Sequence, residues 1–374
     1  MNKKKILIVV GTRPNFIKVT QFKRLVESDY GLVLDLKIVH TGQHYDAKMA
    51  DVFFEQFNLI PDFFLDIATD LSPNSQMATI MIELEKLLKN VFLPDLMLVV
   101  GDVNSTFAAA FTAYKLGIKT AHIESGLRSL DRSMPEEINR ILTDEIVDYF
   151  FITEQSGFDN LIKEDKKPEN LFFVGNTMID TMVAFEGDIQ SSDILKELHL
   201  ETQNFGLMTI HRPSNVDTED GLRQVLRLID LASSHTFGYK IVFPIHPRTL
   251  KNAEKFGLKH HFLNNANLTL TDPLDYFGFQ KLIARCQFIF TDSGGIQEES
   301  TFRQVPCFTF RPNTERPSTV EIGTNQLIPF DFDLIAHELN NIKQGTFKQG
   351  KIPPMWDGKA TKRILETIVN QFLA

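Results

Sequence analysis

The chain has 374 residues, a formal net charge of −9, 43% hydrophobic residues and 23% charged residues. That length fits two domains rather than one core, and the balance is that of a globular chain, not a disordered one. The acidic charge argues against a nucleic-acid partner but leaves room for a phosphate-bearing small molecule.

The basic start, Met1 to Lys5, leads into a short apolar run that stops at Gly11-Thr12-Arg13-Pro14. It is too short for a signal peptide and reads as a first, buried strand. Further strands are predicted at 33–40, 95–100, 119–123, 149–152 and 171–174. Between them lie amphipathic stretches, one with Val19, Phe22 and Val26 on a face, another with Ile80, Leu84, Leu87 and Val91. Strand–helix alternation means a parallel sheet covered on both faces. The pattern breaks at Gly175-Asn176 and resumes with strands at 205–210, 240–244, 267–270, 287–290 and 306–309. The fold class is therefore α/β. The domains predicted are 1–175, 176–355 and a terminal helical segment, 356–374. No apolar run is long enough to span a bilayer, so no membrane partner is expected. With only Cys286 and Cys307, nothing suggests a disulfide framework, and a reducing cytoplasm is the simplest setting.

Open α/β sheets bind ligands beyond the carboxyl ends of their strands. Polar clusters sit there in this chain. Gly11-Thr12-Arg13-Pro14-Asn15-Phe16-Ile17-Lys18 follows the first strand. It offers a tight turn, a helix N-terminus and two cations to an anion, or it is simply a turn with solvated charges. Gly101-Asp102 follows 95–100; Asp102 either faces the ligand or caps the next helix. His122-Ile123-Glu124-Ser125-Gly126-Leu127-Arg128 and Met134-Pro135-Glu136-Glu137-Ile138-Asn139-Arg140 come next. Asp102, Glu124 and Glu136 thus gather near one sheet edge. Crowded carboxylates repel, so one of them can keep its proton and act as an acid. The alternative is pairing with Arg128, Arg132 and Arg140. For Glu137 that pairing is the preferred reading, because a first helical turn favours acidic side chains.

The second half supplies His211-Arg212-Pro213-Ser214 and His246-Pro247-Arg248 after successive strands. In Thr291-Asp292-Ser293-Gly294-Gly295-Ile296-Gln297-Glu298-Glu299, Ser-Gly-Gly at a strand-to-helix turn presents consecutive amides to a diphosphate. Glu299, a turn later, suits ribose hydroxyls. Arg311-Pro312-Asn313-Thr314-Glu315-Arg316-Pro317 adds cations. No metal-ligand spacing occurs, since His260-His261 is merely adjacent.

In this order the clusters resemble the non-hydrolysing UDP-N-acetylglucosamine 2-epimerases. The resemblance runs from Gly11 to about Arg316, and weakly to Trp356-Asp357-Gly358. Its most specific parts are Gly-Thr-Arg-Pro with Lys18, Thr41-Gly42-Gln43-His44, the Glu124 and Glu136 motifs, Asp292 to Glu299, and Thr314-Glu315-Arg316-Pro317. It implies two Rossmann-like domains of the GT-B type facing across a cleft that holds a UDP-sugar, with the terminal helix returning to the first domain. It also implies a cytoplasmic homodimer serving bacterial polysaccharide precursor synthesis, with no cofactor and no metal. Carried over residue by residue, Asp102, Glu124 and Glu136 are the catalytic carboxylates, and His211 is catalytic or contacts the leaving group. Arg13 and Lys18 face diphosphate and sugar. Ser293, Gly294, Gly295 and Arg316 hold the diphosphate, Glu299 the ribose, and Phe279 lies beside the uracil. Gln43, His44 and Arg212 match positions where some members bind a second substrate molecule as activator. Many members carry Arg-Glu where this chain has Pro213-Ser214, which puts that regulation in doubt and leaves the sugar open.

The chemistry implied is inversion at C2. That carbon has no neighbouring carbonyl, so UDP must leave C1 as C2 loses its proton, giving a glycal; UDP re-adds with a proton delivered to the other face. Base and acid are needed on opposite faces, and donors must strengthen on the departing diphosphate. Rival readings are a modified UDP-acetamido sugar, a hydrolysing epimerase that releases free sugar, a GT-B glycosyltransferase and a UDP-sugar sensor without catalysis.

Overall fold

A computed structural model describes residues 3–43, 54–68 and 71–372. The chain divides into two compact units: Met1–Ala184 with Pro354–Ala374, and Phe185–Pro353.

The first unit is built on β1 (Lys4–Val10), β2 (Leu34–His40), β3 (Phe63–Phe64), β4 (Leu96–Val100), β5 (Lys119–Ile123), β6 (Tyr149–Ile152) and β7 (Leu171–Phe173). Among the described residues their order is β3-β2-β1-β4-β5-β6-β7, every pairing parallel. Ile8 of β1 stands opposite Ile38 on one side and Leu98 on the other. A central strand covered on both faces has no polar side to show, which is why β4 reads Leu-Met-Leu-Val-Val and is buried throughout. Each such side chain contributes roughly 1.5–3 kcal/mol on burial. The helix Pro73–Asn90 buries Ile80, Leu84 and Leu88. Val91, expected on that face, lies just past the helix and is exposed.

The second unit repeats the plan with β8 (Phe205–Thr209), β9 (Lys240–Pro244), β10 (Leu268–Thr271), β11 (Phe288–Thr291), β12 (Cys307–Thr309) and β13 (Asn325–Leu327). The order is β10-β9-β8-β11-β12-β13, again all parallel. Phe288, Phe290, Phe308 and Phe310 pack one face; Leu207, Ile289 and Cys307 pack the other. Gly206 leaves room for the Phe288 ring, one of whose carbons would lie 2.4 Å from an added Cβ. Cys286 and Cys307 are buried, unpaired thiols.

The helix Thr177–Ala184, which the sequence break at 175 assigns to the second domain, is part of the first unit. The Thr181 hydroxyl donates to the Ile17 carbonyl at 2.5 Å and lies 2.6 Å from the Thr20 hydroxyl. The same helix recruits the chain's end. Asp180, fully enclosed, accepts from the amides of Ala360 at 3.0 Å and Thr361 at 2.5 Å, so it caps the terminal helix Ala360–Phe372. The Trp356 indole donates to the Thr153 carbonyl at 3.0 Å. Among the described residues no helix is long and apolar enough to cross a membrane.

Candidate active site

Each sheet reverses its strand order once, and polar clusters follow the strands on both sides of that point. In the first unit the reversal falls between β1 and β4. Gly11, ending β1, sits so close to the helix Asn104–Leu116 that an added Cβ would lie 2.1 Å from Ser105 Oγ. Ser105 is the joint of this corner. Its hydroxyl donates to Gln43 Oε1 at 2.6 Å and lies 2.7 Å from the Thr41 hydroxyl, and its amide also donates to Gln43 at 2.9 Å. Gln43 is thereby fastened to a helix start. His44 lies outside the described residues. Arg13 heads the short helix Arg13–Ile17 and is partly exposed.

After β4, Gly101 turns with φ +68°. An added Cβ there would meet Asn15 Nδ2 at 3.0 Å, Glu124 Oε2 at 3.3 Å and Lys18 Nζ at 3.6 Å, so the absent side chain is what lets these groups meet. Glu124 is 3% exposed and forms an ion pair with Lys18. Its backbone is left-handed, φ +71°, a conformation that non-glycine residues hold only where the surroundings impose it. Lys18, expected on the diphosphate and sugar, is buried on Glu124 instead of standing as an open cation. Asp102 is held by Arg140 Nη2 at 2.7 Å and Nε at 3.1 Å, and Asn139 donates to the Asp102 carbonyl at 3.0 Å. Glu136 is exposed, one helical turn before Arg140 on the helix Pro135–Ile146. Asp102 and Glu124 thus have a cation each, and the expected crowding of like charge is relieved. Glu137, read as paired with a nearby arginine, is so paired. It is 1% exposed, accepts from the amides of Ser129 at 2.8 Å and Leu130 at 3.0 Å, and pairs with Arg140 at 2.5 Å.

In the second unit the reversal falls between β8 and β11. Asp292, for which the sequence suggested no role, organises that corner. Its carboxylate is wholly buried, accepts from the amides of His211 at 3.0 Å and Arg212 at 2.8 Å and from Asn215 at 3.0 Å, and lies 3.0 Å from His211 Nδ1. Burial alone would raise this carboxyl, but the hydrogen bond and charge of His211, with the Arg212 amide and Asn215, hold it below the usual carboxylate value. Arg212 Nε donates to the Asp292 carbonyl at 2.9 Å. Pro213 starts the short helix Pro213–Val216, so the departure from the family pattern falls in its first turn. The rings of His211 and His246 stand 5.3 Å apart.

Ser293 is the N-cap of the helix Gly294–Arg303. Its own amide is taken by the Thr291 hydroxyl at 3.0 Å, so the amides a helix start leaves for an anion begin at Gly294 and Gly295. The Arg316 guanidinium lies against this start, 3.1 Å from where a Gly294 Cβ would be. It is buried between Glu298, at 2.9 Å, and Glu315, while Arg311 meets Glu315 at 2.9 Å. Here two arginines face two glutamates, Glu298 and Glu315. Glu299 is buried on the same helix, and Phe279 packs partly buried beside Leu282 and Ile283.

The sequence pattern of the family described as UDP-N-acetylglucosamine 2-epimerase matches residues 30–369. The UDP-N-acetylglucosamine 2-epimerase of Methanocaldococcus jannaschii is 36% identical over 97% of this chain and 98% of its own. The UDP-2,3-diacetamido-2,3-dideoxy-D-glucuronate 2-epimerase of Pseudomonas aeruginosa is also 36% identical, over 97% of this chain and 98% of its own. The crystal structure of the M. jannaschii UDP-GlcNAc 2-epimerase in complex with UDP-GlcNAc and UDP superposes with a TM-score of 0.87 at 35% identity, covering 98% of this chain and 99% of that one. The two Rossmann-like units are accordingly of the GT-B type, and the chain belongs to the UDP-N-acetylglucosamine 2-epimerase family.

Proposed function

We propose that this protein inverts C2 of UDP-GlcNAc to give UDP-ManNAc, by elimination of UDP to a glycal and re-addition. The observation that carries the reading is Glu124: a buried carboxylate at the end of β5, in a strained backbone, paired with Lys18 from the turn after β1. Strain of this kind persists where the fold over-determines it, and it gathers at reacting groups. Asp102, Glu124 and Glu136 supply the acid–base chemistry, and His211 steadies the leaving group. Arg13 and Lys18 serve diphosphate and sugar, with Lys18 acting through its pair with Glu124. Gly294 and Gly295 offer amides to the diphosphate, aided by Ser293 and Arg316; Glu299 takes the ribose and Phe279 flanks the uracil. The protein works as a cytoplasmic homodimer. No step in this chemistry calls for a nicotinamide or a metal.

Incubation with UDP-GlcNAc, followed by chromatography and proton NMR, tests this directly. UDP-ManNAc should appear and approach an equilibrium mixture, with no free sugar. Free acetamidomannose with stoichiometric UDP would instead mean a hydrolysing enzyme. A second reading, a UDP-2,3-diacetamido uronic acid as substrate, has a specific support: the P. aeruginosa relative with that substrate in its name matches at the same 36% identity as the M. jannaschii enzyme. Turnover of that sugar and not of UDP-GlcNAc would decide for it.

A further inference from the structure

Two turns carry the groups assigned to the chemistry. Asp102 follows Gly101, and Glu124 precedes Gly126; Gly101, Glu124 and Gly126 are all left-handed, with φ +68°, +71° and +80°. Glycine takes this region freely, but Glu124 holds it only where its surroundings impose it. One side chain reaches both turns. Asp144 is wholly buried on the helix Pro135–Ile146. One of its carboxylate oxygens lies 2.6 Å from His122 Nδ1, and His122 Nε2 lies 2.7 Å from the Gly101 carbonyl. A carbonyl only accepts, so Nε2 is the donor there. The other Asp144 oxygen accepts from the Gly126 amide at 3.0 Å and from Arg128 Nη1 at 2.7 Å. Arg128 is braced in turn by Glu164, through Nη2 at 2.7 Å and Nε at 2.9 Å.

We propose that Asp144 is a positioning residue that sets both reacting turns at once: the Asp102 turn through His122 and Gly101, and the Glu124 turn through Gly126 and Arg128. Its helix is suited to the task. Glu137, Arg140 and Asp144, spaced at three and four residues, share one face. Arg140 grips the Asp102 carboxylate directly, and Glu137 grips the loop beyond Arg128. A shift of this one helix moves both carboxylates together, which keeps base and acid matched across the sugar. Burial would raise the Asp144 carboxyl, but His122, Arg128 and the Gly126 amide outweigh it and hold it below the usual value, so the ion that does the bracing persists at neutral pH.

The proposal rests on the reading of Asp102 and Glu124 as reacting groups, and the test separates the two. In the full-length protein, Asp144→Asn keeps the shape and removes the charge. The folded variant should bind UDP by calorimetry as the native protein does and keep its KM, while kcat for C2 epimerisation falls about 10²-fold, the loss expected when a reacting group is misplaced by about 1 Å. A purely structural role would lower the melting temperature and leave kcat of the folded fraction intact, and that result overturns the proposal. If Asp144→Asn does not fold, His122→Gln breaks only the link to Gly101; it should lower kcat in the same sense, and native kcat there overturns the proposal too. Glu124→Gln distinguishes the failures. Native kcat in Glu124→Gln beside a slow Asp144→Asn removes Glu124 from the chemistry and supports Asp144 acting through the Asp102 turn.

Discussion

Glu124 concentrates what is unusual in this molecule: a charge out of water, a left-handed backbone and one cation in contact. Glu124→Gln should cost turnover several orders of magnitude while UDP affinity by calorimetry stays near native, because a proton-transfer group lost from the transition state is not lost from nucleotide binding. Near-native turnover would remove Glu124 from the mechanism. His40 makes a second residue-scale prediction. It ends β2, 5% exposed, its Nδ1 accepting the Gly42 amide at 3.0 Å and its ring 6.0 Å from that of Phe54. Burial pushes its imidazole down to about 4. An unfolded histidine titrates near 6.5, so as pH falls from about 6.5 toward 4 the unfolded chain takes a proton that the folded chain refuses. Folding stability is therefore lost across that window, by about 2 kcal/mol at pH 5 from this group alone. Urea unfolding of His40→Asn should show a smaller drop between pH 7.5 and pH 5 than the native protein; equal drops would refute the assignment. The sequence showed Glu124, Asp102 and Lys18 as candidates because each follows a strand. It could not show that Lys18 lies on Glu124, since 106 residues separate them and only the parallel register brings them together. It pointed to an arginine partner for Glu137, which Arg140 is, but not to the amides of Ser129 and Leu130 that also hold its carboxylate.

At the scale of elements, every strand but β3 and β13 was legible in the sequence. β1 and β4 carry apolar runs that end at glycine, and β5, Lys-Thr-Ala-His-Ile, is marked by the polar cluster that follows it. β3 has two residues, and β13 reads Asn-Gln-Leu, too little pattern for either to stand out. The helix at 177–184 was misassigned for a related reason. What ties it to the first unit is Thr181 on Ile17 and Asp180 on the terminal helix, contacts remote in sequence. Asp180 explains why the chain's end returns. Asp180→Ala should uncap the Ala360–Phe372 helix at a cost of about 1–2 kcal/mol. Hydrogen exchange should then speed up along that helix while β1 and β4 keep their protection. Unchanged exchange in the helix would mean that packing of Ile364, Leu365 and Ile368 alone holds it.

At the scale of the whole molecule, two doubly wound units each place a built corner at the reversal of strand order. The first gathers carboxylates and cations by side-chain contact; the second gathers backbone amides at a helix start, with Arg316 beside them. Family membership rests on the match across residues 30–369, whereas the choice of sugar rests on how side chains meet its substituents. The most direct test of the central claim is proton NMR of UDP-GlcNAc with the purified protein in deuterium oxide. C2 epimerisation through a glycal predicts deuterium at C2 of both UDP-ManNAc and the returned UDP-GlcNAc. UDP-GlcNAc that keeps its C2 proton in the presence of active, UDP-binding protein would contradict it.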